Sequence, residues 1–491
     1  MKNLIKIATV MPVLLALLLS GCALEDPGDP TGTVNPPSME DPGTTRYAAI
    51  GNSLTAGYMD SGLMQAGQIN SYPRLIANQL GLDNTEFSQP WVAFPGIGTS
   101  ASSGPSMVAG VLHFDGIGGI GVVAETPAAE IQSILLAATQ PTAYHNLGVP
   151  GAWLIDGRNA IDAATSFGAL LGQPNTFFEF INRSNSLFGS QTVTLAPGMT
   201  TESGSMHYKA IAKGGALTTV WLGNNDILGA ATGGNPGAPQ TAPITSLDDF
   251  TAEYTLMLQT LAGGLANRNG FPATIVTATI PGITAAPFFM PESLFDNVVQ
   301  SQISVSWPGG YEEADVQFVL FPALSFISSN PPATPIPSRL TLTDVEAQLI
   351  EDSVTGYNAV ITGVSAEVNA SGFAKCGVMD ADALLNGLSD TEKTHVLLLW
   401  FQIGDTDTAA GMTAFSLDGV HPNNKGYGHV ANGFIDKINE LDGTSIPQVD
   451  VTALSWDPTY GVTSPAPTSA DQPRKISVTP EAAAAMGAIF R

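Results

Sequence analysis

Four short segments of this chain carry the side chains that nucleophilic acyl chemistry needs. Cleaving an ester through a side-chain hydroxyl requires a nucleophile, a base to take its proton, a group that orients the base, and donors for the developing oxyanion. Gly51-Asn52-Ser53-Leu54-Thr55-Ala56-Gly57 places a serine among small residues, and His145-Asn146-Leu147-Gly148-Val149-Pro150-Gly151 offers two glycine amides. Trp221-Leu222-Gly223-Asn224-Asn225-Asp226 offers side-chain amides, and Asp418-Gly419-Val420-His421-Pro422-Asn423 offers a carboxylate and an imidazole three residues apart. A serine after a strand is usually a turn residue, and Asp-x-x-His arises by chance. The joint, ordered occurrence of the four is what points to acyl transfer.

Something must hold these segments together. Tyr47-Ala48-Ala49-Ile50 is a short apolar run that predicts a buried strand delivering Ser53 to a strand-to-helix turn. Further buried strands are expected at Ala143–Leu147, Thr218–Leu222, Ala273–Ile280 and Phe373–Met379. Helices are expected at Pro73–Leu80, ended by Gly81, and across Phe250, Tyr254, Met257, Leu258, Leu261 and Leu265, with Ser246 as N-cap. Two more are expected, from about Asp344 to Val368 and through His429 and Phe434, with His429 on the helix surface. Strands alternating with helices predict a parallel sheet covered on both faces. Ligands gather beyond the carboxyl ends of such strands, so the first three segments would share one rim.

Taken in order, the blocks resemble those of the SGNH or GDSL hydrolases: Gly51-Asn52-Ser53-Leu54 in place of Gly-Asp-Ser-Leu, a glycine-containing second block, Gly223-x-Asn225-Asp226, and Asp418-x-x-His421. The resemblance implies an α/β fold, a three-layer α/β/α sandwich around a mostly parallel, flavodoxin-like sheet of about five strands, here with large insertions. It also implies that Ser53 is the nucleophile, His421 the general base and Asp418 the carboxylate that holds the imidazole tautomer. The oxyanion hole would combine the backbone N–H of Ser53, the backbone N–H of Gly151, with Gly148 as the alternative, and the side-chain amide of Asn225. Asn225 suits that task because its NH₂ group brings two donors and no charge. Asn52 stands where the family has Asp, and no catalytic step is expected to fall on it. Imidazole base catalysis predicts activity that declines on the acid side of neutrality.

Composition bounds where such chemistry would occur. The 491 residues include 43 acidic and 17 basic side chains, a formal net charge of −26, which argues against nucleic-acid partners. Lys2 and Lys6 precede an apolar run from Ile7 to Leu19, closed by Leu19-Ser20-Gly21-Cys22. That is the layout of a secretory signal, and the run is shorter than the roughly 20 residues a membrane span needs. The tetrapeptide resembles a bacterial lipobox, which implies removal of residues 1–21, lipidation of Cys22 and anchoring to the cell envelope, at the outer membrane, on its periplasmic face or at the cell surface.

Residues 22–45 read as a flexible tether rich in Pro, Gly, Asp and Thr. Residues 46–445 form the hydrolase-like domain, with insertions at about 61–140, 152–215 and 281–340, and 446–491 is an extension ending in a helix opened by Thr479-Pro480-Glu481. The insertions are too long to be structureless. They hold apolar clusters such as Trp91-Val92-Ala93-Phe94 and Pro287-Phe288-Phe289-Met290. The one other cysteine, Cys376, reads as a small buried residue in a strand.

Competing chemistries find less support. Gly116-Ile117-Gly118-Gly119-Ile120-Gly121 matches a dinucleotide fingerprint but lacks a strand–helix setting. No His-Glu-x-x-His cluster suggests a metal, and the elbow Gly-x-Ser-x-Gly is absent. No cofactor is expected. The apolar insertions and the tether favour an acyl or lipid ester as substrate, with carbohydrate O-acetyl esters as the alternative. A non-catalytic surface lipoprotein that binds glycan or protein is the reading from a different class.

Overall fold

Five apolar runs assemble into one parallel sheet. In a computed structural model of the chain, the described residues are 47–98, 107–114, 120–122, 125–127, 131–136, 143–182, 192–196, 199–238, 241–296, 307–401 and 411–456. The signal segment, the tether, Gly116–Gly119 and the expected C-terminal helix lie outside them. The strands are β1 (Tyr47–Gly51), β2 (Asn146–Gly148), β3 (Leu217–Trp221), β4 (Ala273–Ala278) and β5 (Ala374–Met379), in the order β5-β4-β3-β1-β2. Every neighbouring pair is parallel. All residues of β1, β3 and β4 are buried, as parallel strands covered on both faces must be. Gly51 lies level with Trp221 on one side and with Gly148 on the other, which aligns the carboxyl ends of three strands.

The helices are α1 (Ser53–Ala56), α2 (Tyr72–Gln79), α3 (Met206–Lys213), α4 (Asn225–Thr232), α5 (Leu247–Asn269), α6 (Asp344–Ser371) and α7 (Asn424–Asp442), with shorter ones in the insertions and a further helix at Asp390–Phe401. On one face α5 packs against α3 and α6; on the other α2 packs against α7. The result is a three-layer α/β/α sandwich. Its sequence logic is plain in α5, where Phe250, Tyr254, Met257, Leu258, Leu261 and Leu265 are buried along one stripe. Ser246 caps that helix by accepting the Asp249 N–H. Phe250 stacks on Tyr357 of α6 with ring centroids 4.0 Å apart.

Two local expectations shift. The strand expected from Ala143 begins at Asn146, and the N–H groups of His145 and Asn146 both donate to the Ser88 carbonyl. His429 is half-buried on α7 and pairs with Glu392 at 3.1 Å. Cys376 is a buried strand residue, and burial pushes its thiol up to about 12, so it is unreactive as a nucleophile.

The insertions carry structure of their own. Residues 281–340 contribute Phe289–Pro291 and Val316–Leu320 to a three-stranded antiparallel sheet completed by Thr341–Thr343. Residues 152–215 hold short helices at Asp156–Asn159, Phe167–Leu170 and Phe177–Ile181 before α3. Residues 446–456 dock on α7, where Asn432 bonds both backbone groups of Val449 and Asn439 those of Ile446. Among the described residues, no helix is long and apolar enough to cross a membrane.

Candidate active site

At the carboxyl end of β1 the chain turns into α1 through Asn52. Gly51 allows the close approach this needs, since a Cβ there would meet Thr55 Oγ1 at 1.9 Å and the Trp221 carbonyl at 2.8 Å. Asn52 Oδ1 accepts the Leu54 N–H at 3.1 Å and caps the short helix that Ser53 opens. Asn52 Nδ2 also donates to Asn224 Oδ1 at 3.0 Å, tying the loop after β1 to the loop after β3. The Asn that stands in for the family's Asp is therefore a buried cross-link, its amide donating across to Asn224 while its oxygen caps the local helix.

His421 reaches Ser53 from a tight loop ahead of α7. Asp418 Oδ1 accepts the N–H groups of Val420 and His421, at 2.9 and 2.8 Å, and Gly419 between them takes φ 73°. Only glycine fits there, because a Cβ would lie 2.5 Å from the Phe321 ring. His421 Nδ1 lies 3.0 Å from Asp418 Oδ2, and its Nε2 lies 2.9 Å from Ser53 Oγ. Ser53, His421 and Asp418 thus form one hydrogen-bonded chain, with Asp418 fully buried and His421 nearly so.

Burial by itself would raise the Asp418 pKa. The charge and hydrogen bond of His421, with the His421 and Ser61 N–H groups, outweigh that, and the carboxyl sits below the ordinary carboxylate value. An ionised, immobile Asp418 fixes the tautomer of His421, proton on Nδ1 and lone pair on Nε2 facing the serine.

The opposite side of Ser53 is the loop that leaves β2. Gly148 and Gly151 differ sharply there. The Gly148 N–H is engaged by Asn146 Oδ1 at 3.0 Å, and a Cβ on Gly148 would meet the Ala56 nitrogen at 2.4 Å. Gly151 is exposed at φ 75°, and among the described residues its N–H has no hydrogen bond, nor does that of Ser53. Val149 N–H donates to the Gly51 carbonyl at 3.0 Å, holding this loop against the turn that carries Ser53. Asn225 opens α4 and uses one of its two amide hydrogens on the Ala152 carbonyl at 2.7 Å, leaving the other free to donate. Among the described residues no group of His, Cys, Asp and Glu could hold a metal ion.

A family model for GDSL-like lipase/acylhydrolase matches residues 47–434, the whole span from β1 into α7. The chain belongs to the GDSL-like lipase/acylhydrolase family. No curated protein and no solved structure matches it. Family membership makes the chain a serine-type hydrolase of esters.

Several residues that shape this GDSL-type site were not evident from the motifs. Asp60 and Ser61, both at positive φ, form a turn after α1 that docks on the His421 loop. Asp60 Oδ1 accepts the Leu417 N–H at 2.8 Å, its own N–H donates to Ser416 Oγ at 3.1 Å, and the Ser61 N–H donates to Asp418 Oδ2 at 3.0 Å. Non-glycine residues in this conformation are strained and tend to gather at functional sites. The only trace in the sequence is a polar pair between Met59 and Gly62. The Tyr58 ring lies 4.8 Å from the His421 ring and meets Phe177 edge-on at 6.3 Å, bringing the second insertion to the site.

Asp226 and Asp156 hold the far lip. Asp226 Oδ2 accepts the Leu154 N–H at 2.8 Å and its Oδ1 the Thr245 hydroxyl at 2.8 Å. Asp156 accepts the N–H groups of Trp153 and Phe167 at 2.9 and 2.7 Å. Burial dominates at both, raising Asp156 to about 6 and Asp226 to about 7.

Proposed function

We propose that this GDSL-type hydrolase cleaves carboxylic acyl or lipid esters at the cell envelope through an acyl-enzyme on Ser53. The observation that carries the reading is the unbroken chain from Ser53 Oγ through His421 to buried Asp418. His421 Nε2 takes the hydroxyl proton as Ser53 Oγ bonds to the ester carbonyl carbon, and the carbonyl π electrons move onto oxygen. In this reading the N–H groups of Ser53 and Gly151 and the amide hydrogen of Asn225 not used on Ala152 donate to that oxyanion. Collapse of the tetrahedral adduct expels the alcohol, which takes the proton from His421. Water then repeats the cycle on the acyl-enzyme and releases the acid.

Apolar side chains from the second insertion support an acyl substrate: Phe177 packs on Tyr58 beside His421, and Leu170 and Leu171 are exposed on the same insertion. The envelope location rests on Leu19-Ser20-Gly21-Cys22, through which a lipid on Cys22 would hold the enzyme at its substrate.

A panel of p-nitrophenyl esters of increasing acyl length plus acetylated sugars, run with the wild type and Ser53→Ala, tests the reading. Wild-type turnover that extends beyond acetyl and falls on the order of 10⁶-fold in Ser53→Ala is expected. Activity confined to acetylated sugars would assign the chain to carbohydrate deacetylation. Absence of fluorophosphonate labelling at Ser53 would leave a binding lipoprotein.

A further inference from the structure

We propose that Asn175, from the insertion at 152–215, is a positioning residue that aims the Gly151 N–H at the oxyanion. The inference rests on the acyl-transfer reading of Ser53 and names a part of that site supplied by no motif.

Asn175 Nδ2 donates to the Pro150 carbonyl at 2.7 Å. That carbonyl and the Gly151 N–H belong to one planar trans peptide, so they point in opposite directions and rotate together. Fixing the oxygen on one side therefore fixes the hydrogen on the other. The flanking backbone cannot do this alone, because Gly151, at φ 75°, is the residue with the widest choice of conformations. A hydrogen bond to the carbonyl also polarises the shared peptide and makes its N–H a better donor.

Asn175 is itself held. Its Oδ1 accepts the Phe177 N–H at 3.0 Å, and its N–H donates to Ser166 Oγ at 3.0 Å, which in turn donates to the Ala163 carbonyl at 2.7 Å. A Cβ at Gly151 would meet Asn175 Nδ2 at 3.1 Å, so the amide lies directly over that position. Further along the loop Asn225 binds the Ala152 carbonyl, Asp156 the Trp153 N–H and Asp226 the Leu154 N–H. Asn175 thus fixes the first of four successively anchored positions.

The test is Asn175→Asp in the full chain. The carboxylate keeps the acceptor that Phe177 N–H needs and removes only the donor to Pro150, turning attraction for that carbonyl into repulsion. Fluorophosphonate labelling to completion counts the competent sites, and kcat and KM are then measured per site on one p-nitrophenyl ester. We expect kcat to fall by about tenfold to a hundredfold, less than the roughly 10²–10³-fold loss when an oxyanion donor is deleted outright. KM should stay within about twofold, because the oxyanion exists only past the ground state. Full labelling at a slower rate is also expected.

Wild-type kcat per site would overturn the proposal, as would a fall in labelled fraction and Tm with kcat per site unchanged. If Asn175→Asp does not fold, Asn175→Ala at this half-exposed position carries the same measurement with the same expectations. Wild-type protein that neither labels nor turns over would overturn the acyl-transfer reading itself, a result distinct from an active wild type with an indifferent Asn175 variant.

Discussion

Two buried aspartates, one bonded to His421 and one to the loop after β2, are pushed in opposite directions. Asp418, in the loop before α7, is held below the usual carboxylate range, whereas Asp226, beside the loop after β2, is raised to about 7. Both are removed from water, and burial is the largest influence on each. The difference lies in what faces them. Asp418 has the imidazole of His421, proposed to gain a proton during the reaction, plus the N–H groups of Val420, His421 and Ser61. Asp226 has the Leu154 N–H and its own, one hydroxyl and a neighbouring acid, Asp156, whose charge raises it further. A buried carboxylate that must stay ionised needs a cation or several dipoles aimed at it. One that only anchors backbone does not.

That contrast is sharpest under substitution at Asp418. Asp418→Asn preserves shape but turns an amide N–H either toward His421 Nδ1 and the Ser61 N–H or toward the Val420 and His421 N–H groups, so donor faces donor in both orientations, and in the first the favoured imidazole tautomer reverses. We expect kcat to fall about 10⁴-fold with the protein folded. Steady-state kinetics and circular dichroism on the same preparation check this. A loss under tenfold would mean that Asp418 merely packs.

On the other lip a single amide should matter less. Asn225→Ala removes the amide proposed as one oxyanion donor and frees the Ala152 carbonyl, and kcat should fall about 10²–10³-fold with little change in KM. A rise in KM at constant kcat would instead make Asn225 a ground-state substrate contact.

The two lips were unequally legible in the sequence. On the Asp418 side nearly everything is local: Asp418, Gly419 and His421 build their own turn within four residues, so the motif carried its geometry. The five strands were legible for a related reason, since burial on both faces leaves uninterrupted apolar runs such as Thr218–Leu222. The lip around Gly151 is assembled from distant pieces. Asn175 lies in a turn of an insertion, the carbonyl it holds is 25 positions away in sequence, and Asp226 reaches Leu154 across 72 positions. Backbone carbonyls have no signature, and neither does an asparagine after a proline. Asp60 and Ser61 were silent for the same cause, because their partners lie near position 417, and only φ reveals that their turn is strained. The sequence preferred Gly151 to Gly148 without a physical reason; the structure shows Asn146 Oδ1 engaging the Gly148 N–H.

The opposed pKa shifts also predict opposed pH responses, and Asp226 gives the cleaner test. Its folded value, about 7, lies above the 3.8 expected in the unfolded chain. Between those limits the folded state binds the extra proton, so the stability linked to Asp226 is fully present below about pH 4 and is lost as pH rises through about 7. Asp156, raised to about 6, acts in the same sense. Asp418, lowered in the fold, acts in the other: its contribution is present above its unfolded value and disappears only in acid. Buried His207, lowered to about 3 chiefly by burial, removes stability as pH falls below 6.5. Wild-type Tm alone would therefore show a broad maximum that mixes all four. Asp226→Asn isolates one, because its Oδ1 can still accept the Leu154 N–H while its Nδ2 donates to Thr245 Oγ1. Near pH 4, where folded Asp226 is protonated and its unfolded carboxyl is still largely so, Tm of the variant should lie close to wild type. By pH 8 the variant should be the more stable by up to a few kcal/mol, since each pKa unit corresponds to about 1.4 kcal/mol. Calorimetry at the two pH values decides it: an equal Tm difference at both would mean that Asp226 is ionised throughout, as Asp418 is, and that the two lips share one electrostatic design.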